Sequence, residues 1–460
     1  MNILELLKPS DKIALIQDKK RVSYSALLSE GLRLGGRLRR EEIGVGNHVL
    51  VFTPLSIELY VAMIGAWSVG AVPIFIDFSR GVEFVNRSID RLRPDIVICD
   101  NVTMLMRNIY GRTRKIKAIN VNHGREPVVV EKLNSEHPAI LTFTSGTTGV
   151  PKIAVRTHGF LINQYNVLKR HFDFCENNID LGTLPIFILA NLASNMTTLL
   201  PSKSYKSKIN ASKLASKVDM EKVTRIICSP ALISNLLKHS DLHSLKSLYL
   251  GGAPVYPTTL AKIRSNVDLN IVYGSTEAEP IARVRWADVA IDDRERIANG
   301  AGLLVGTIVS EIAYKIGSGS EILVSGETVI NGYLDGIGDN ENKIREGNTT
   351  WHRTGDAGYI DEQGRLWLLG RVNQAIHDDK GALYPFCTEC MLDAHFGIRG
   401  AIFARNGERV VAIEKGSISP QDVLQVLKSQ KISRVVLVDK IPMDKRHGAK
   451  IDYSRLEADI

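Results

Sequence analysis

Apolar positions along this chain fall into short runs divided by small-residue turns. VSYSALLSEGLRLGGRLRREEIG spaces its apolar residues along one helical face, with Ser23 as the cap candidate. NHVLVFTP and PDIVICD read as short buried strands. TRIICSP, SLKSLYLGG and LNIVYGS repeat the theme of an apolar strand followed by a turn. Such alternation from the start predicts an α/β protein with largely buried, doubly wound sheets. Residues 59–76, LYVAMIGAWSVGAVPIFI, carry no charge and approach the ~20 residues that span a bilayer. Gly70 and Pro73 interrupt them, so the expectation is a buried helix, a turn and a buried strand, with no membrane span.

Beyond residue 300 the texture changes. GSEILVSGETVINGYL and RLWLLGR look like strands of a smaller β-rich portion joined by glycine turns. The polar stretch VNQAIHDDKGALYP after Arg371 reads as a linker or exposed loop. A compact α+β tail follows, with strands at RGAIFAR, RVVAIEKG and SRVVLVDKIP and a helix at SPQDVLQVLKSQ capped by Ser419. The expected organisation is a large N-terminal domain, 1–371, and a small mobile C-terminal domain, 372–460.

Composition narrows the classes. The 460 residues are 44% apolar and 23% charged, which excludes a disordered or collagen-like chain. Fifty-eight basic against fifty acidic residues leave a net charge of +8. With no long basic run and no zinc-finger or basic-helix pattern, nucleic acid is not the expected partner. Residues 372–460 hold 13 basic and 12 acidic residues, so the excess lies in the larger part. Five scattered cysteines do not make a disulfide framework. Cys387 and Cys390 form a lone Cys-x-x-Cys with no second ligand pair for zinc, which leaves chance spacing or a redox dithiol. The N-terminus lacks a basic region followed by a long apolar core, so no signal peptide is expected and the location is predicted to be cytoplasmic.

Three stretches carry chemistry. In LTFTSGTTGVPK an apolar strand leads into Thr144, Ser145, Gly146, Thr147, Thr148 and Gly149, with Lys152 after them. The glycines let several N–H groups point together as an anion nest, the hydroxyls add donors, and Lys152 adds a positive charge for phosphate. The spacing is not that of a P-loop NTPase, and the plainer reading is a polar surface loop. YGSTE, Tyr273 to Glu277, follows the strand LNIV, where open α/β sheets bind ligands. Tyr273 can stack a base and Glu277 can hold Mg2+ through oxygen; taken alone, the block reads more readily as a plain capped turn. In HRTGDAGYIDEQGRLWLLGR, Asp356 sits on a tight turn as an acceptor for ribose hydroxyls, and Arg371 ends the next strand.

In this order and at these separations, the three blocks resemble the adenylate-forming superfamily of acyl-CoA synthetases, luciferases and peptide-synthetase adenylation domains. The resemblance runs over nearly the whole chain. Within it, DLGTLPIFILANLASNMTTLLP, WHRTGDAGYIDEQGRLWLLGR and the ending IPMDKRHGAKID look most like the olefin-pathway β-lactone synthetases. The resemblance implies an enzyme whose carboxylate substrate attacks the α-phosphorus of Mg·ATP, giving an acyl-adenylate and pyrophosphate. It places Thr144 to Gly149 and Lys152 on the β- and γ-phosphates. Gly251, Gly252 and Ala253 line the adenine slot, with Tyr273 and Gly274 at the base. Thr276 reaches the α-phosphate, Glu277 the Mg2+, and Asp356 with Arg371 the ribose. Lys450 bridges the substrate carboxylate and the α-phosphate.

The acyl group then passes to a nucleophile: coenzyme A or a phosphopantetheinyl carrier protein, an amine, or the substrate's own 3-hydroxyl in β-lactone closure. A small carboxylic acid is the expected substrate, with a carrier protein or pathway enzyme as partner. A non-catalytic nucleotide-binding relative is the alternative from another class. Four departures from the family pattern stand out: Ile153 after Lys152 where glycine is usual, Ile188 where a histidine often stands, Gln374 in the hinge segment GRVNQ, and a short tail.

Overall fold

Successive residues of the strand His48–Phe52 serve two different cores. Val49 and Val51 pack with Leu34, Tyr60, Ile64 and Trp67, which come from the helices Tyr24–Arg40 and Ile57–Ser68. Leu50 and Phe52 pack with Phe84, Val85 and Ile89 of the helix Val82–Leu92. A strand buried on both faces has no polar side, which is why NHVLVFTP reads as a continuous apolar run. The same split recurs in Ile96–Cys99, where Ile96 and Ile98 join the first core and Val97 and Cys99 the second. Doubly wound packing is therefore present as expected.

A computed structural model describes residues 2–122, 124, 126–143, 152–203, 209–416, 418–443, 451–453 and 455–456. The chain divides into two units. The first comprises Met1–Ile227, Leu242–Leu245 and Glu327–Lys343; the second comprises Cys228–Asp241, Lys246–Gly326 and Ile344–Ile460.

In the first unit one sheet runs in the order Ala118–Asn120, Ile96–Cys99, His48–Phe52, Val72–Phe75, Pro138–Phe143, Ile153–Thr157. All neighbours are parallel except the last pair. Ser23 caps the helix Tyr24–Arg40, its Oγ accepting from Ala26 N at 3.2 Å. The uncharged run resolves into the wholly buried helix Ile57–Ser68 and the strand Val72–Phe75. Among the described residues no helix is long and apolar enough to cross a membrane. A second group of strands runs Lys20–Ser23, Ile13–Gln17, Thr197–Leu199, Ile179–Gly182, Arg225–Cys228. Here Arg225 is fully buried and donates from Nε to Asp180 Oδ1 at 2.8 Å, while Asn191 donates to Asp180 Oδ2 at 2.7 Å. Removing either member of such a buried pair would leave the other charge uncompensated, at a cost of roughly 3–5 kcal/mol.

The second unit holds the strands Ser247–Leu250, Asp268–Ser275, Ala278–Arg285, Leu303–Ile308, Leu366–Arg371, Thr349–Ile360, Glu321–Gly326 and Ile312–Ile316, in that spatial order. The first pair is parallel and the rest that are registered are antiparallel. The C-terminal strands Gly400–Arg405, Glu408–Glu414 and Arg434–Val438 form a sheet of their own, and Ser419 caps the helix Pro420–Val426.

The stretch expected as a linker is instead a hairpin, Ile376–Asp378 with Gly381–Leu383. Its polar residues hide a specific anchor. Arg409, 3% exposed, donates to both Asp378 oxygens, at 2.8 and 2.7 Å, and to Gly381 O at 2.7 Å. The helix Pro385–Phe396 that follows is almost wholly buried, including Thr388, Glu389 and Asp393. Polar residues on buried faces erase the helical period, so the pattern did not announce it.

Candidate active site

The site residues of the second unit lie at or near strand ends, except Asp356, which stands inside the strand Thr349–Ile360 and not on the tight turn expected. Ser247–Leu250 and Asp268–Ser275 run parallel, with Leu250 opposite Ile271. Gly251 comes next on one strand and Tyr273 ends the apolar run of the other. A Cβ on Gly251 would lie 2.6 Å from Val272 O, so only glycine lets the two chains approach this closely. Gly251, Gly252 and Ala253 thus leave the sheet beside the strand that carries Tyr273, at the edge where open sheets accept ligands.

Tyr273, Gly274 and Ser275 belong to the strand itself, and Thr276 and Glu277 form the turn of a hairpin into Ala278–Arg285. Glu277 N donates to Ser275 Oγ at 3.2 Å. Thr276 is exposed and Glu277 is half-buried. The block is therefore a hairpin tip rather than a turn after a finished strand.

Asp356 and Arg371 are cross-strand partners. Arg371 Nη1 donates to Asp356 Oδ1 at 2.9 Å and to Thr354 O at 3.0 Å. The Tyr273 hydroxyl donates to Asp356 Oδ2 at 2.9 Å. Burial, and then the charge of Asp356, push the Tyr273 phenol well above its ordinary range, which keeps it protonated and a donor. Both carboxylate oxygens are thereby fixed, each with acceptor capacity left for a further hydroxyl. Tyr273, Asp356 and Arg371 are brought together as one cluster.

Lys152 lies in the first unit. Its Nζ donates to Asn342 Oδ1 at 3.0 Å and sits 5.6 Å from the Tyr333 ring centre. Asn342 in turn donates to Gly338 O at 2.6 Å. Tyr333 lies in the segment EILVSGETVINGYL, and Gly338 and Asn342 follow it, where no spacing in the sequence marks them. Ile153, the first of the departures, is wholly buried at the start of Ile153–Thr157 and serves the core. Ile188 and Phe187 are buried in the helix Pro185–Ala193, with Phe187 5.6 Å from the Phe172 ring. Gln374 ends a short 3-10 turn, Val372–Gln374. Thr144 to Gly149 and Lys450 lie outside the described residues.

Cys387 and Cys390 are free thiols buried on the helix Pro385–Phe396. Burial pushes Cys387 up to about 12 and Cys390 well above the usual thiol range. Neither offers the accessible thiolate that redox exchange needs, so the Cys-x-x-Cys packs the core. Among the described residues no three His, Cys, Asp or Glu side chains gather as a metal cage.

The sequence pattern of a family described as "AMP-binding enzyme" matches residues 6–334. An olefin beta-lactone synthetase of Stenotrophomonas maltophilia is 27% identical over 481 aligned residues, covering 90% of this chain and 86% of that protein. An indoleacetate–CoA ligase of Aromatoleum aromaticum is 30% identical over 342 residues, covering 68% of this chain and 65% of that protein. Among solved structures, ATP-bound MatB from Rhodopseudomonas palustris is similar with a TM-score of 0.82 at 20% identity, over 100% of this chain and 99% of that one. That last likeness shows the shared fold.

Proposed function

The chain belongs to the AMP-binding enzyme family, and from that premise we propose that it is an AMP-forming ligase for a small carboxylic acid. The observation that carries this reading is the cluster of Tyr273, Asp356 and Arg371, an aromatic ring beside a carboxylate held by two donors. Asp356, steadied by Arg371, accepts the ribose hydroxyls, and Tyr273 offers its ring to the base beside Gly251, Gly252, Ala253 and Gly274. Thr276 serves the α-phosphate; Lys152 with Thr144, Ser145, Gly146, Thr147, Thr148 and Gly149 serves the β- and γ-phosphates. Lys450 bridges the acid and the α-phosphate.

Glu277 carries its carboxylate on a hairpin tip, which fits Mg2+, an ion that keeps waters and takes one or two carboxylates plus substrate phosphates. Bound there, the ion supplies charge neutralisation. The protein's own work is alignment and electrostatics. The substrate carboxylate attacks the α-phosphorus and pyrophosphate leaves. A nucleophile then attacks the acyl carbon and AMP leaves with the bridging oxygen.

For that nucleophile the leading reading is a thiol, of coenzyme A or of a phosphopantetheinyl carrier protein, supported by the likeness to a CoA ligase. A second reading is closure of a 3-hydroxy acid on itself, supported by the beta-lactone synthetase that aligns with nine-tenths of this chain. A 3-hydroxy acid and its 3-deoxy analogue, each with ATP and with or without coenzyme A, separate the two. AMP release from the hydroxy acid without any thiol favours closure; a strict need for the thiol, or equal turnover of the deoxy acid, favours the thioester.

A further inference from the structure

Asp356 stands on an irregularity of its strand. The neighbouring strand Glu321–Gly326 pairs Leu323 with Arg353 and Glu321 with Ala357. Ile322 alone therefore faces Thr354, Gly355 and Asp356, which form a bulge. Gly355 has a φ of 70°, a left-handed conformation that a side chain would strain. A bulge takes backbone groups out of the ladder, and each must find another partner.

Three contacts supply those partners. Thr354 Oγ1 donates to Ile322 O at 2.8 Å, and Asp356 N donates to Thr354 Oγ1 at 3.1 Å. Gly355 N donates to the side chain of Glu321, at Oε1, 3.2 Å away. The other Glu321 oxygen accepts from Arg353 Nε at 2.8 Å and from Arg353 Nη2 at 2.7 Å. Glu321 is only 5% exposed, so water does not substitute readily for these donors.

We propose that Glu321 is a positioning residue for the nucleotide ribose: by clamping Arg353 and Gly355 it fixes the bulge that aims Asp356. The inference rests on the assignment of Asp356 to the ribose hydroxyls. Glu321 itself touches no nucleotide atom in this account. Without its carboxylate, Gly355 N and Arg353 lose a common acceptor, and the bulge is free to shift along the strand. A shift of one residue turns a side chain to the opposite face of a sheet.

The test titrates AMP and 2′,3′-dideoxy-AMP into the parent protein, Glu321→Ala, Glu321→Gln, Asp356→Ala and the double variant Glu321→Ala/Asp356→Ala, by calorimetry. The parent should prefer AMP by about tenfold or more, the worth of a charge-assisted hydrogen bond. Glu321→Ala should erase most of that preference while leaving dideoxy-AMP affinity nearly unchanged. The double variant should bind AMP no more weakly than Asp356→Ala. Glu321→Gln keeps one acceptor oxygen and should fall between parent and Ala; if the Ala variant does not fold, a Gln variant with the parent's full preference overturns the proposal.

Full preference in Glu321→Ala, with preference lost in Asp356→Ala, overturns the positioning role and leaves the ribose assignment standing. Equal weakening of both nucleotides by Glu321→Ala marks a general structural role and overturns it too. Full preference in Asp356→Ala removes the ribose assignment and this inference with it.

Discussion

The Tyr273 hydroxyl meets Asp356 Oδ2 at 2.9 Å, joining two residues 83 positions apart in the chain. Tyr273 lies two residues before the end of the strand Asp268–Ser275, which turns into Ala278–Arg285, whereas Asp356 lies on the bulge of Thr349–Ile360. One side chain thus offers a ring and also sets the orientation of a neighbouring carboxylate.

The two roles of Tyr273 separate by substitution. Tyr273→Phe keeps the ring and loses a hydrogen bond to a charged acceptor, worth about 1.5–3 kcal/mol, so it should lower the melting temperature. Tyr273→Ala also loses the stacking surface and should weaken AMP binding well beyond the Phe variant. Calorimetric titration with AMP measures this. Equal affinity in the two variants would deny the ring a part in binding.

Asp361 predicts an acid-side loss of stability. Its burial opposes the charge, but donation from Trp367 Nε1 at 2.9 Å, Arg365 Nε at 2.8 Å and Arg365 N at 2.9 Å outweighs it and brings the carboxyl down to about 2. A lowered pKa stabilises the fold above the ordinary value of 3.8, and that contribution fades as pH falls toward about 2. The melting-temperature gap between parent and Asp361→Asn should therefore be wide at pH 5 and narrow toward pH 2. A gap that stays constant with pH contradicts this.

Glu389 carries the opposite sign. Its carboxyl is buried and accepts from Tyr256 Oη at 2.7 Å and Tyr453 Oη at 2.8 Å. Burial raises its pKa more than the two phenols lower it. Stability is then complete below the ordinary Glu range and declines as pH rises through the raised value. Glu389→Gln escapes that decline, so thermal unfolding of the two proteins should move in the variant's favour from pH 4 to pH 8. A difference that does not change over this range would show that Glu389 does not titrate there.

Much of this architecture is legible in the sequence because burial on both faces writes itself as apolar runs. His48–Phe52, Ile96–Cys99 and the uncharged run around Trp67 are cases where pattern and packing agree. The helix Pro385–Phe396 is not legible because its buried face includes Thr388, Glu389 and Asp393, and the partners of the last two, Tyr256 and Thr258, come from a distant segment. At the site, Tyr273, Asp356 and Arg371 were readable from their blocks. Glu321 was not, since a glutamate opening a strand says nothing until the bulge across from it is seen. The same holds for Asn342 beside Lys152, a contact between residues 190 positions apart that no local spacing encodes.

An AMP-forming ligase breaks ATP between its α- and β-phosphates. Product analysis during turnover of an accepted carboxylic acid tests it most directly. One AMP and one pyrophosphate are expected for each ATP consumed, with Lys450→Ala slowing their release by orders of magnitude at little change in melting temperature. Formation of ADP and inorganic phosphate would contradict it.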